Sequence, residues 1–302
     1  MSGQTLDRRI LLAFAAIVLI AGSNIVAVRL SNRELDPFWG AGIRFAVGAA
    51  ILWALVARDR SPLPHDRDLI WTAGYGLLNF FVAYAFFYWG SQEVPAGLGG
   101  TIMASVPLLT VLLAAAHGAE PLRVRAVVGA LIAVAGVAVI SWTGLSGDVR
   151  GISVVTIAAA AVAAAESGVV LEVIPSAHPV VTNAVGMTAG ALALVGLSAA
   201  TGETWRLPRS PSVWWAVGYL AISSPILFML FVYVIRRWSA SATSFQFVLF
   251  PIVAVIGGAL VLGEAITPSL LLGAPLVLAG VYVGALSDRS RRMSISADPV
   301  RR

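Results

Sequence analysis

Reading the chain for apolar runs and the polar breaks between them gives ten long hydrophobic stretches. They lie at approximately 10–30, 37–57, 68–89, 94–117, 124–142, 151–172, 179–201, 211–235, 240–262 and 268–286. Each is close to the roughly 20 residues that a helix needs to cross a hydrocarbon core about 30 Å thick. No break exceeds about a dozen residues, so no soluble domain is inserted between spans. The pattern predicts an all-α integral membrane protein with ten transmembrane helices. The opening stretch MSGQTLDRRILLAFAAIVLIAG has the basic-then-apolar form of a secretory signal. Its apolar run continues through Ile25 to Val28, which predicts an uncleaved first span instead.

The segment FQFVLFPIVAVIGGALVLGEAITP, residues 245–268, carries a proline and a glutamate inside an otherwise apolar run. The same device occurs in VPLLTVLLAAAHGAEPL, where Pro107 and Glu120 have the spacing of Pro251 and Glu264, displaced by 144 residues. That offset holds without a gap from position 63 to 142. It places Trp71 on Trp215, Gly74 on Gly218, Tyr75 on Tyr219, Phe87 on Phe231 and Gly129 on Gly273. In the first span, AGSNIVAV at 21 lies over AESGVVLE at 165. The chain therefore divides into a five-helix repeat at 1–144, a second at 145–288, and a tail at 289–302. Five is odd, so the second copy enters the membrane from the opposite side and the repeat is inverted. Two halves related by an axis in the membrane plane make a central site that either side can expose, which is transporter architecture.

Composition and charge add orientation. Hydrophobic residues make up 59% of the 302 and charged residues 12%, with a mean hydropathy of +0.89. Every basic residue is arginine. With the N-terminus inside, 14 arginines fall on inner segments and 5 on outer loops, while Arg44 lies within a span. The positive-inside bias thus places both termini in the cytoplasm, the protein being multi-pass in the cell inner (plasma) membrane. The net charge of +5 follows from this bias and the anionic inner leaflet, so it does not call for nucleic acid. The tail SDRSRRMSISADPVRR is polar and Arg-rich, the composition of a disordered cytoplasmic segment. Cysteine is absent, which excludes disulfides and thiolate chemistry. His65, His117 and His178 lack ligand spacing, and the sequence calls for neither metal nor cofactor.

The chain resembles the EamA-type branch of the drug/metabolite transporter superfamily over essentially its whole length. The resemblance rests on GSNIVAVRL in the first span, PFWGAGIRF in the second, and the paired proline-to-glutamate segments, the later ending in LGE at 262–264. Two positions depart from the family pattern: Ala21 stands where tryptophan is common, and HGAE at 117–120 replaces the leucine-glycine-glutamate form. The resemblance implies a ten-helix inverted-repeat permease that moves a small metabolite, such as an amino-acid-like compound, by alternating access, most often outward. It specifies no substrate and no oligomeric state.

The polar residues inside spans are the site candidates. Pro107, Pro225 and Pro251 would free the carbonyls of Met103, Ala221 and Phe247, either as kinks that shape packing or as breaks that line a wet cavity. Thr101, Ser105, Ser223, Ser224 and Gln246 precede them and favour the cavity. Tyr75 and Asn79 share a helix face and overlie Tyr219 and Ser223, as a duplicated central site would, or as interhelical glue would. In NFFVAYAFFYWG, Tyr88 and Trp89 suit the headgroup region, while Phe80 and Tyr84 lie deep enough to meet a ligand. Glu120 and Glu264, at span ends, are expected to accept from helix N-terminal amides. Arg44 is expected to snorkel outward in a structural role. Glu166 lies deeper, where a charge costs about 2.5–3.5 kcal/mol, which makes it the candidate for proton coupling or for binding a substrate cation. Ser23, Asn24, Tyr75, Asn79, Tyr84, Ser105, Glu166, Ser223 and Gln246 form the expected binding set. The competing classes are a structural or signalling membrane protein and, last, a membrane-embedded enzyme, for which no catalytic cluster is visible. With no GxxxxGK[ST] loop, direct ATP coupling is excluded.

Overall fold

The computed structural model describes residues 8–117, 149–174, 178–237, 243 and 246–283, together with positions 124, 125, 127–129, 131, 132, 135, 136 and 139. Among these residues there is no β-strand. The helices are α1 (Arg8–Ser31), α2 (Pro37–Asp59), α3 (Asp66–Gly90), α4 (Ala96–Ala116) and α5, the helical positions within 124–139. They continue with α6 (Gly151–Val173), α7 (Pro179–Ala200), α8 (Pro211–Ile235), α9 (Gln246–Gly257) and α10 (Pro268–Val281). Seven of them, α1 to α4 and α6 to α8, are long and apolar enough to cross a membrane. The apolar helices in the last two spans are shorter, at Ile252–Leu262 and Pro268–Gly280. Several boundaries follow directly from sequence. Proline opens α2, α7, α8 and α10, where its missing N–H costs nothing. The hydroxyls of Ser210 and Thr267 cap α8 and α10 by accepting from Val213 and Leu270.

Three helices are irregular. α3 contains a π-turn over Leu77–Ala83, and α9 ends in another over Gly258–Leu262, closed by left-handed Gly263 at φ 69°. α4 is two helices, Ala96–Met103 and Val106–Ala116, joined by a tight turn at Ala104 and Ser105. Pro107 sits in the first turn of the second piece, where proline is tolerated.

The core is built by close helix crossings. α2 packs along α7, α1 against α8 and α9, α3 against α6 and α7, and α4 against α6 and α9. Small residues set the distances, as in membrane bundles generally. A Cβ on Gly76 would lie 2.3 Å from the Cα of Gly186, and one on Gly190 would lie 2.4 Å from the Cβ of Phe80, so α3 and α7 touch backbone to backbone. The GMTAG stretch of α7 supplies both glycines, one turn apart.

One end of the bundle is fastened by carboxylates from short connectors. Glu203 accepts from the amides of Phe38 and Trp39 at the start of α2, and Glu34 accepts from those of Arg209 and Ser210 at the start of α8. Glu264 accepts from the Ala96 amide at the start of α4 and from Arg29 Nε at 3.2 Å. Arg29 donates in addition to the carbonyls of Ser91 and Gln92. Glu93 takes Arg150 and the Ser153 hydroxyl, and these two hydrogen bonds, Arg150 first, hold its carboxyl down at about 2. Glu120 lies outside the described residues.

Candidate functional site

Between these crossings lies a cavity of about 100 Å³, walled by α1, α2, α3, α4, α6, α8 and α9. Most of its surface is apolar, from residues such as Phe87, Leu227, Phe228, Phe231, Phe247 and Phe250. Six polar side chains reach it: Asn24, Arg44, Asn79, Tyr84, Ser167 and Gln246. An apolar pocket with a few convergent polar groups is the usual form of a small-molecule site.

Asn24, Arg44, Asn79 and Ser167 are each held by a hydrogen-bond partner. Asn24 accepts through Oδ1 from the Ser223 hydroxyl at 2.7 Å, which leaves its Nδ2 without a described partner. Asn79 accepts through Oδ1 from Ser167 at 3.0 Å and donates weakly to the Tyr75 hydroxyl at 3.5 Å. Gln246 is 2% exposed, with Oε1 unpaired among the described residues. Arg44 is 1% exposed. Its Nε donates to Ser224 Oγ at 2.6 Å and its Nη1 to the Tyr88 hydroxyl at 3.4 Å. Its guanidinium lies 4.9 Å from the Tyr84 ring centre and 5.1 Å from that of Phe45. Ser224 can accept from Arg44 because its own proton goes to the Leu220 carbonyl.

The expected binding set is thereby sorted by position. Asn24, Asn79, Tyr84 and Gln246 lie on the cavity wall. Ser223 and Tyr75 stand behind them, and Ser23 bonds Tyr219 and the Leu19 carbonyl away from the wall. Ser105 donates to Ile102 of its own helix, because a hydroxyl at a helix break satisfies the nearest free carbonyl. Glu166 is not on the wall either. Its Oε1 meets His117 Nε2 at 3.1 Å, at the C-terminal end of α4. The α4 terminus is within reach because α4 and α6 pack side by side.

Three further expectations are corrected. Arg44 does not snorkel: hydrogen bonds and aromatic rings hold it inside the bundle. Tyr88, assigned to the headgroup belt, is fully buried beside it. Nor does the Pro225 break open on the cavity. It faces Gly48 of α2, whose added Cβ would lie 3.4 Å from Pro225 Cδ and 3.8 Å from the Ala221 carbonyl oxygen. Glycine lets α2 approach there, so close packing takes up the break. Pro107 is likewise buried off the wall, although Met103, one turn earlier, reaches it. Sequence reasoning missed Ser167, whose only signal was its adjacency to Glu166, and the α8 and α9 phenylalanines, which an apolar span cannot distinguish from lipid-facing residues.

The EamA-like transporter family profile matches residues 8–142 and again 151–285. Among individual relatives is the "Uncharacterized inner membrane transporter YedA" of Escherichia coli K12, 30% identical over 259 residues, covering 84% of this chain and 83% of the relative. The "Probable amino-acid metabolite efflux pump" of Salmonella typhimurium is 27% identical over 290 residues, covering 91% and 94%. The "Probable terminal-alkyne amino-acid exporter" of Streptantibioticus cattleyicolor is 27% identical over 290 residues, covering 94% and 96%. One solved crystal structure shares the fold, with a TM-score of 0.66 at 21% identity, covering 93% of this chain and 97% of the other.

Proposed function

The chain belongs to the EamA-like transporter family, and on that premise we propose that it is a secondary transporter exporting a small, amino-acid-like metabolite. The cavity is the substrate site, reached alternately from the two sides as inverted repeats 1–144 and 145–288 rock about it. The observation that carries this reading is the origin of the wall: Asn24, Arg44, Asn79 and Tyr84 come from the first repeat, Ser167 and Gln246 from the second. The helix pairings support a two-fold relation between the repeats, which the odd number of spans in each makes an inverted one. Exchanging each helix for its counterpart five places on turns α1–α8 into α6–α3 and α1–α9 into α6–α4, and leaves α2–α7 and α4–α9 unchanged. In this reading ten crossings put both termini on one side, which the arginine bias makes the cytoplasm, in an inner-membrane protein like the Escherichia coli relative. In this reading Glu166 carries the proton, now with His117 as its partner.

Flux tests the function. Proteoliposomes loaded with an amino-acid and metabolite panel should release a subset, and Asn79→Leu should lower that release while leaving the folded yield near wild type. Release of nothing across the panel, with folded protein in the membrane, would refute transport of this class. Orientation is tested with single cysteines at Ser146 and Ser294, both outside the described residues. Only the first should react with an impermeant thiol reagent in intact cells.

A further inference from the structure

The cavity holds a positive charge that nothing described in the protein neutralises. Arg44 lies seven residues into α2, about 10 Å along its axis, and its side chain turns inward, away from water. Of its guanidinium nitrogens, Nε and Nη1 are committed to neutral hydroxyls, and Nη2 has no hydrogen-bond partner among the described residues. No aspartate or glutamate lines the cavity, and no described ion pair involves Arg44. A buried unpaired guanidinium is among the costliest groups a membrane protein can carry, and such groups mark ligand paths. The ring of Tyr84 on one side and the Nε bond to Ser224 on the other fix the orientation of the guanidinium, and Arg44 itself forms part of the cavity wall. A second unpaired donor, Asn24 Nδ2, belongs to the same wall.

From this we infer that Arg44 is the substrate-anion site: the ligand is a monoanionic carboxylate with an apolar body, its oxygens taken by Arg44 Nη2 and Asn24 Nδ2. The identification rests on the transport reading and names the group by which the protein holds that substrate. Guanidinium and amide donors suit two carboxylate oxygens. A dianionic phosphate fits poorly, since one cation would leave net negative charge in an apolar pocket. The phenylalanines of α8 and α9 take the apolar body, and Gln246 Oε1, an unpaired acceptor on the wall, leaves room for an N–H donor such as an amino group.

Binding to the purified full-length protein, read by tryptophan fluorescence or thermal shift, tests this without requiring flux. The probes are acetate, 4-methylpentanoate, 3-phenylpropionate, L-leucine and L-phenylalanine, each against its primary amide. At least one carboxylate should bind about tenfold or more tightly than its amide, the value of a charge-assisted hydrogen bond. Arg44→Gln should abolish that ratio. If Arg44→Gln fails to fold, Arg44→Lys, which keeps the charge but loses the fork, should shrink the ratio. A purely structural arginine would change stability and leave the ratio alone. Equal binding of carboxylate and amide, or no carboxylate bound across the panel, overturns the inference. Carboxylate binding that depends on Arg44, with no flux in vesicles, would uphold it and sink the transport reading instead.

Discussion

Replacing Glu264 by alanine removes two interactions of different kinds at the fastened end of the bundle. One is an acceptor for the Ala96 amide at the start of α4, at 2.9 Å, whose loss should cost about 1 kcal/mol, as for other helix-start acceptors. The other is the ion pair with Arg29. Its side chains are 21% and 14% exposed, so solvent does not erase it, yet Arg29 keeps the carbonyls of Ser91 and Gln92 and is not orphaned. The coupling therefore belongs near about 1 kcal/mol, at the upper end of the range for exposed pairs. Glu264→Ala should then cost about 2 kcal/mol in total, and Glu264→Gln, which keeps a neutral acceptor, about half that. The assay is a denaturant titration of detergent-purified protein followed by tryptophan fluorescence, run on Glu264→Ala, Arg29→Ala and the double variant. If the two single effects add to within about 0.3–0.5 kcal/mol, the pair contributes nothing and the reasoning about its burial is wrong. A Glu264→Ala cost below about 0.5 kcal/mol would remove the capping role as well.

Gly76→Val should destabilise by about 1–3 kcal/mol or prevent folding, because its Cβ would lie 2.3 Å from the Gly186 backbone. Gly74→Ala, with nothing within 4 Å, is the neutral control, and the yield of monodisperse protein separates the two. The Glu93 carboxyl, held at about 2 against an ordinary 4.5, favours the folded state above about pH 4.5, and its contribution disappears as pH falls through about 2. Glu93→Gln should therefore flatten the pH dependence of unfolding between those values, and an unchanged curve would count against the Arg150–Ser153 arrangement. Glu166→Gln keeps shape and hydrogen bonding but cannot titrate. Loss of pH-driven accumulation with exchange intact supports proton coupling, whereas wild-type flux with unchanged pH dependence excludes it.

How far the sequence could be read differs between the helices and their faces. The spans were legible because burial in lipid is a demand on composition, and α3, α4, α7 and α8 begin and end within two residues of the predicted runs. The family was legible from GSNIVAVRL, PFWGAGIRF and the two proline-to-glutamate segments. Which side of each helix faces inward was not, because a helix apolar all round has no stripe from which to read its phase. Arg44 shows the difficulty. Seven residues into a span is close enough for a long side chain to reach water, and only the positions of Ser224, Tyr84 and Tyr88 show that it turns inward. Ser105 and Asn79 look alike in sequence, as polar residues inside spans. A tight turn in α4 sends the hydroxyl of Ser105 to its own helix, whereas Asn79 meets Ser167 across a helix boundary. The protein partner of Glu166 was not legible, because His117 lies at a helix terminus that only the packing of α4 on α6 brings near.

The π-turn at Leu77–Ala83 has a consequence for how the α3 side chains are aimed. In an unbroken α-helix Tyr84, five residues beyond Asn79, would point about 140° away from it. A π-turn absorbs one residue without advancing the helical phase, which reduces that angle to about 40° and brings Phe87 nearly into line with Asn79. Both then face the cavity together with Asn79. At the matching place in the second repeat, Phe81 is replaced by Pro225. The two copies thus loosen the same turn by different chemistry, one by a wide π-turn and the other by a missing N–H. Straightening that turn into regular α-helix, with no residue removed, would leave every side chain of the site in the sequence, yet turn Tyr84 away from Arg44 and out of the pocket.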